Sequence, residues 1–245
     1  MTKEYINDVN KNYTICIYLN KITNIIFILS ILLSTIICFK YMEFISIILI
    51  VIHILYFIVN TANDILFINI AEDERRKTLL SNAFNVDLSD KKTNGYYNNK
   101  EKSPLKKLFV NSFESIYFTN NNLRKSFIYK SIETVFEIIM WVTLIIILND
   151  KNITLLITQC LFSTEIFEKY LKHIYYFVKT NTLYKNFYRD LITTKYDTGK
   201  DAILLEYCFE YETLKSYCHF LLPQSTFDKY NSKWTSDWKK LYKKI

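Results

Sequence analysis

One stretch, Phe44–Ile70, constrains the fold of this chain more than any other. Its 27 residues include no Lys, Arg or Glu, and no Gly or Pro interrupts them. Only His53 and Asp64 can carry a full charge near neutral pH. About 20 apolar residues in a helix are enough to cross the hydrocarbon core of a bilayer. The stretch therefore predicts a transmembrane helix, and with it an integral membrane protein.

A second apolar run precedes this one. Ile22–Phe39 is 18 residues long and carries no charged side chain. The short connection Lys40–Glu43 separates the two runs, which predicts an antiparallel hairpin of two spans. No cleavable signal peptide is expected, because about 20 polar residues come before the first apolar run.

Two further spans are predicted at Ile132–Leu148 and Ile153–Phe167, joined by the turn 149–152. Their uncharged cores are only 11 and 12 residues long, and runs of that length are more typical of buried or re-entrant segments. We favour spanning helices because the pair repeats the short-turn hairpin of the first half. If the turn is centred between Asp150 and Lys151, residues equally far from that point lie at the same depth.

The predicted fold is an all-α integral membrane protein with four spans in two hairpins. The chain holds only 2 Gly and 2 Pro among 245 residues, and so few helix breakers favour a mostly helical structure. Ser103-Pro104 predicts a helix start, Asn120–Asn122 a break, Asp201–Leu222 a helix and Thr235–Ile245 a last short helix. The predicted parts are a cytosolic lead-in (1–21), the first hairpin (22–70), a cytosolic helical insert (71–130), the second hairpin (131–168) and a cytosolic helical C-terminal region (169–245).

The basic residues fit this topology. Of 31 Lys and Arg residues, 29 fall in the lead-in, the insert and the C-terminal region, and each short turn holds one. Basic residues concentrate on the cytoplasmic side of membrane proteins. Both termini and the insert are therefore expected in the cytoplasm, with the lipid bilayer as a partner.

Carboxylates and polar side chains inside the spans are candidate pore or gating residues. Glu133 and Glu137 share one helical face, and Glu165 lies near the depth of Glu137. A charge at mid-bilayer costs about 2.5–3.5 kcal/mol, so such groups face water or partners unless they sit at headgroup depth, where the cost is small. His53, Asn60 and Asp64 share another face; the alternative there is hydrogen bonding between helices.

A cytosolic cluster of basic and aromatic residues is the candidate ligand site. Guanidinium groups bind phosphates and tyrosines stack on bases, which suits a nucleotide. The alternative is a patch that meets anionic lipid headgroups. The candidate residues are Arg75, Arg76, Lys77, Tyr96, Tyr97, Asn98, Arg124 and Lys125.

The end of the chain leaves two readings open. Trp234, Trp238, Leu241 and Ile245 form one apolar helical face beside several lysines. That pattern fits an amphipathic helix at the membrane surface, or a helix packed on the cytosolic part. No catalytic motif is present, the five cysteines show no metal-ligand spacing, and no enzyme activity, cofactor or metal is expected.

The order of several short segments resembles a known family. These segments are Ala71–Arg76, Ser81–Phe84, Gly95–Asn99 and Asn111–Thr119, all between two membrane hairpins, followed by Phe227–Asn231 and Trp238. In this order they resemble the SMODS-associating four-transmembrane effector family, over nearly the whole chain.

The resemblance implies a role in CBASS-type antiphage defence at the bacterial inner membrane. A partner nucleotidyltransferase would make a cyclic oligonucleotide, and the effector would sense it, form a homo-oligomer and breach the membrane in abortive infection. No DNA or RNA partner is expected. Two alternatives are a non-conducting membrane anchor for a partner protein and a small ion channel or transporter. Transporters often have helices broken by Gly or Pro, and all four predicted spans lack both residues.

Overall fold

The fold is helical, as predicted. The computed structural model describes residues 6–7, 9–39, 43–89, 93–94, 99–147 and 153–245. The α-helices are α1 (Val9–Phe39), α2 (Glu43–Ala62), α3 (Ile68–Phe84), α4 (Pro104–Ile147), α5 (Ile153–Tyr188), α6 (Asp201–Cys218) and α7 (Gln224–Tyr242).

Short irregular elements complete the chain. Two π-helical segments, Asn63–Phe67 and Arg189–Thr193, follow α2 and α5, and a 3-10 turn covers Thr198–Lys200. The strands β1 (Ile6–Asn7) and β2 (Thr93–Asn94) form a two-residue antiparallel pair.

The chain divides into two compact units. The first, here the helical unit, comprises Met1–Asn12, Asn69–Ile128 and Lys172–Ile245. The second, here the apolar unit, comprises Tyr13–Ile68 and Tyr129–Leu171.

In the apolar unit, α1 and α2 form the predicted antiparallel hairpin. The rings of Phe27 and Tyr56 lie 6.1 Å apart, and the Asn63 amide donates to the Cys16 carbonyl oxygen at 3.2 Å. Within each pair, the two residues are nearly equally far along the chain from the connection between the helices. The side chains buried along this hairpin are mostly small or polar: Cys16, Thr23, Ser30, Ser34, Ser46, Leu49, His53, Tyr56 and Asn63.

The outer surface of the same hairpin is aliphatic. Large side chains such as Ile25, Ile28, Ile47 and Ile54 are about half exposed or more. Among the described residues, two helical stretches are long and apolar enough to cross a membrane, Asn10–Ser34 and Phe44–Phe84. Only 17% and 22% of their most apolar windows are buried.

The second predicted hairpin also has its expected pairing. The Tyr170 hydroxyl on α5 donates to the Ser131 hydroxyl on α4 at 3.2 Å. These two residues are equally far from the point between Asp150 and Lys151, so the antiparallel register is the predicted one. The side chains of residues 153–167 lie outside the described part of the chain.

The helical unit has an aromatic core. Phe113 on α4 stacks on Tyr184 and Phe187 of α5, with ring centroids 5.7 Å away in both cases. Trp238 of α7 meets Phe113 edge-on at 5.4 Å. Trp234 and Trp238 are both buried, so α7 uses its tryptophan face for packing within this unit.

The helix start at Pro104 is confirmed, but the predicted break at Asn120–Asn122 is wrong, because α4 continues to Ile147. Asn121 donates to the Tyr117 carbonyl oxygen of its own helix at 2.9 Å, and Asn122 donates to the Pro223 carbonyl oxygen at 3.3 Å. The Asn122 amide binds a carbonyl oxygen outside its own helix, and the Asn121 amide shares the Tyr117 carbonyl oxygen without ending the helix.

The last two helices begin or end earlier than predicted. Helix α6 stops at Cys218, because His219 adopts a left-handed conformation with φ of 47° and its N–H closes the helix onto the Lys215 carbonyl oxygen. Helix α7 begins at Gln224, directly after Pro223.

Candidate functional site

Four charged side chains lie together in the helical unit, of which Glu72 and Arg75 are buried and Glu212 and Lys215 are partly buried. Glu72 and Arg75 lie one turn apart on α3, and Glu212 and Lys215 lie one turn apart on α6. Helix α3 places its acidic residues before its basic ones, an order that stabilises a helix through pairs at i,i+3 and i,i+4. We call these four residues the ionic quartet.

The quartet is a chain of ion pairs that alternates in sign. The Arg75 guanidinium donates through Nε to Glu72 Oε2 at 2.8 Å, and through a terminal nitrogen to the Glu212 carboxylate. The Lys215 ammonium lies 3.1 Å from the same Glu72 oxygen. Two cations and two carboxylates leave no net charge, which is the condition under which such groups tolerate burial.

Two tyrosines, Tyr211 and Tyr176, lie close to the quartet. The Tyr211 and Thr119 hydroxyls are 2.8 Å apart, and the Lys215 ammonium lies 5.9 Å from the centre of the Tyr211 ring. Burial, followed by the charge of Arg75, lowers the pKa of Lys215. Burial raises the pKa of Tyr176 well above its usual value, with smaller contributions from Tyr211 and Glu72.

In this arrangement the quartet can hold helices together but cannot meet a ligand in solvent. Arg75 is only 5% exposed, and carboxylates already accept from its Nε and from one terminal nitrogen. An anion could reach the guanidinium only by displacing Glu72 or Glu212. The quartet is therefore a latch between α3 and α6 in the described state.

The remaining predicted ligand residues fall into separate places. Arg76 and Lys77 are partly exposed on α3, and both pair with Asp73, at 3.5 and 2.8 Å. Arg124 and Lys125 are exposed on α4, where the Lys125 ammonium lies 5.6 Å from the centre of the Tyr230 ring. The other three candidates, Tyr96, Tyr97 and Asn98, lie outside the described residues.

The predicted pore residues of the second hairpin are only partly described. Glu133 is exposed and pairs with Lys130 at 2.6 Å. Glu137 is half-buried one turn further along α4. The side chain of Glu165 is outside the described part of the chain.

The polar stripe of the first hairpin is changed by the π segment. His53 is buried, whereas Asn60 and Asp64 are half-buried. The wider turn at Asn63–Phe67 brings Asn63 inward, where it binds the Cys16 carbonyl oxygen. Asn63 therefore holds the inward position at this end of the stripe.

Glu212 and Lys215 were not predicted from the sequence as site residues. A signal was present, because α3 and α6 both carry a Glu followed three residues later by a cation. In α6 this pair lies between the apolar residues Tyr211, Leu214 and Cys218, all buried. A charge pair within such a face points to burial with a partner of opposite charge.

Glu114 provides a test of burial in the helical unit. It lies next to Phe113 on α4, and burial raises its pKa from 4.5 to about 7. The folded chain then binds more protons than the unfolded chain between these values, so stability falls as the pH rises through that window. We expect Glu114→Gln to be more stable than the wild type by about 2–3 kcal/mol at pH 8 and nearly equal to it at pH 4.5.

The measurement is thermal unfolding of the full chain in an uncharged detergent at the two pH values, followed by tryptophan fluorescence. Glu206→Gln, an exposed glutamate on α6, is the matched control and should change the midpoint little at either pH. An equal effect of Glu114→Gln at both pH values would contradict the shifted pKa.

These features define a helical protein with two units. The apolar unit has an aliphatic surface, and the helical unit has an aromatic core with buried ion pairs. No known protein family, curated protein or solved structure matches the chain.

Proposed function

We propose that the protein is a multi-pass membrane effector that a cyclic oligonucleotide activates to permeabilise the bacterial inner membrane during antiphage defence. The observation that carries the proposal is that the first hairpin buries polar side chains and exposes apolar ones. Its interior holds Ser, Thr, His and Asn side chains, while Ile, Leu, Val and Phe face outward. Water would penalise that exposed aliphatic surface, whereas lipid accepts it.

The burial pattern also argues against a core helix of a water-soluble protein. Such a helix is equally apolar but mostly enclosed, whereas the two candidate spans are mostly open. The buried hydroxyls of α1 have partners on their own helix, such as Ser34 Oγ, which donates to the Ser30 carbonyl oxygen at 2.7 Å. Asn63 adds a hydrogen bond between the two helices, and such bonds are typical of membrane bundles.

Four spans, cytoplasmic termini and a homo-oligomeric active state belong to the same proposal. The second hairpin would supply the third and fourth spans, with Glu133 beside Lys130 near the cytoplasmic end and Glu137 further in. The segregation of 29 of 31 basic residues supports this orientation. The defence role rests on the order of segments that resembles the four-transmembrane effectors.

The ionic quartet suggests how activation could be controlled. A ligand shifts an equilibrium between two states only by its difference in affinity for them. In the described state the quartet is closed and its charges are balanced. We propose that the nucleotide favours a second arrangement of α3 and α6 in which these ion pairs are exchanged, and that this arrangement assembles in the membrane.

Dye release from liposomes tests the proposal. Purified protein is inserted into vesicles loaded with a self-quenching dye, and cyclic di- and trinucleotides are added one at a time. We expect release with one nucleotide and none without it. Release without any nucleotide would support permeabilisation of the membrane but contradict its control by a nucleotide. No release from correctly inserted protein would overturn the effector proposal in favour of an anchor.

A further inference from the structure

Two exposed lysines in the helical unit, Lys125 on α4 and Lys229 on α7, lie next to the ring of Tyr230. Two further exposed cations are close to them along the chain: Arg124 precedes Lys125, and Lys233 follows Lys229 by one helical turn. We call these four cations and Tyr230 the Tyr230 patch. We propose that the Tyr230 patch is a binding site for a phosphodiester anion. This inference deepens the proposed function and rests on it for the identity of a free nucleotide ligand, but not for the existence of the site.

Contacts to Tyr230 bring the two helices together at this surface. The Lys125 ammonium lies 5.6 Å from the centre of the Tyr230 ring, and the Lys229 ammonium lies 5.5 Å from it. Each distance is within the range of a cation–π contact. Two positive charges from different helices are therefore held next to the same ring.

The ring itself is fixed by packing. Tyr230 stacks on Trp234 with centroids 5.6 Å apart and an interplanar angle of 22°, and Trp234 is buried. Asn122, two residues before Arg124, donates to the Pro223 carbonyl oxygen at the start of α7. The patch therefore lies on two helices and around a ring that packs on the core, and not on a loop.

The charges of the patch are not neutralised. Within the described residues, no carboxylate lies within ion-pair distance of Arg124, Lys125, Lys229 or Lys233. The nearby Asp228 accepts a hydrogen bond from Gln224 at 2.7 Å. In contrast, the partly exposed Arg76 and Lys77 both pair with Asp73. Like charges gathered without counter-charges raise the local positive potential and attract anions.

The chemistry of these groups selects the ligand class. Ammonium and guanidinium groups bind phosphate oxygens. A phosphodiester has two possible sources for this protein: a free cyclic nucleotide or the headgroup of an anionic lipid. Both present one negative charge per phosphodiester group, so binding measurements must separate them.

Titration calorimetry on the full chain in an uncharged detergent tests the site. The probes are cyclic di-AMP as the free phosphodiester, dihexanoyl-phosphatidylglycerol as the anionic lipid, and dihexanoyl-phosphatidylcholine as the zwitterionic lipid. The test variant is Lys125→Gln/Lys229→Gln. The matched control is Lys179→Gln/Arg189→Gln, which removes the same charge from residues of the helical unit that already pair with Glu210 and Asp190.

We expect at least one anionic probe to bind and the zwitterionic lipid not to bind. Affinity should fall about tenfold to thirtyfold in the test variant and less than twofold in the control. Added salt should weaken binding, because the charges are exposed. Glutamine substitutions on the surface should preserve the helices. Equal unfolding midpoints in the two variants would show that a difference in affinity does not come from a difference in stability.

Each result has a definite meaning. Loss of cyclic di-AMP binding in the test variant assigns the patch to a free nucleotide, and loss of phosphatidylglycerol binding assigns it to a lipid headgroup. Equal weakening in both variants, or binding of neither anionic probe by the wild type, overturns the site. The patch could bind phosphatidylglycerol while no nucleotide releases dye from liposomes. That combination would support the binding site and contradict the proposed function.

Discussion

Replacing Arg75 by Ala is expected to lower the free energy of unfolding of the helical unit by about 3–5 kcal/mol. The change leaves two carboxylates, the buried Glu72 and the partly buried Glu212, with Lys215 as the one remaining cation of the quartet, and an uncompensated buried charge is strongly destabilising. Arg76→Ala is the matched control. The Arg76 side chain is 43% exposed and pairs with Asp73 at 3.5 Å, so its loss should cost under about 1 kcal/mol.

The two variants are compared by thermal unfolding of the full chain in detergent, with tryptophan fluorescence as the signal. Arg75→Ala should unfold well below Arg76→Ala. Equal midpoints would show that Arg75 is not enclosed by carboxylates. An Arg75→Ala protein that kept its midpoint but lost its response to nucleotide would instead assign Arg75 directly to the ligand.

A second substitution separates the stability of the quartet from its role as a latch. Replacing all four members by Met removes the charges of the quartet while filling similar volume. Such replacements are often neutral or stabilising, because no ion has to be desolvated on folding. The Met variant should therefore fold but should fail to respond to nucleotide in the dye-release experiment. A normal response would show that exchange of these ion pairs is not part of activation.

Local signals in the sequence were enough to predict the helices that depend on local chemistry. The start at Pro104 follows from the fixed backbone angle of proline at the first helical position. The pairing of Tyr170 with Ser131 follows from a short turn and the constant rise of a helix. Where neighbours in the sequence determine the outcome, the sequence is sufficient.

Features that depend on distant partners could not be predicted in this way. Asn122 reads as a helix breaker, because asparagine competes for backbone hydrogen bonds, yet it donates to the carbonyl oxygen of Pro223, far along the chain. Arg75 lies in a run of charged residues, which predicts a helix face exposed to solvent. Its partner Glu212 is on α6, and the run itself does not indicate which of its cations is buried.

Replacing Trp238 by Ala is expected to destabilise the helical unit by about 3–5 kcal/mol, the usual cost of removing a large ring from a core. The ring is buried and lies 5.4 Å from Phe113 and 5.5 Å from Tyr117, so its removal leaves a cavity between α4 and α7. Tyr217→Ala is the control, because Tyr217 is 65% exposed and should cost little.

This comparison also decides between the two readings of the C-terminal helix. A tryptophan inserted in the lipid headgroups would contribute to membrane binding and not to the core, so Trp238→Ala would then unfold at the wild-type midpoint. A large fall in the midpoint, with Tyr217→Ala unchanged, requires that the ring is packed inside the protein. With the tryptophans inward, the exposed Lys229, Lys233 and Lys240 of α7 are left to face solvent or anions, as the Tyr230 patch requires.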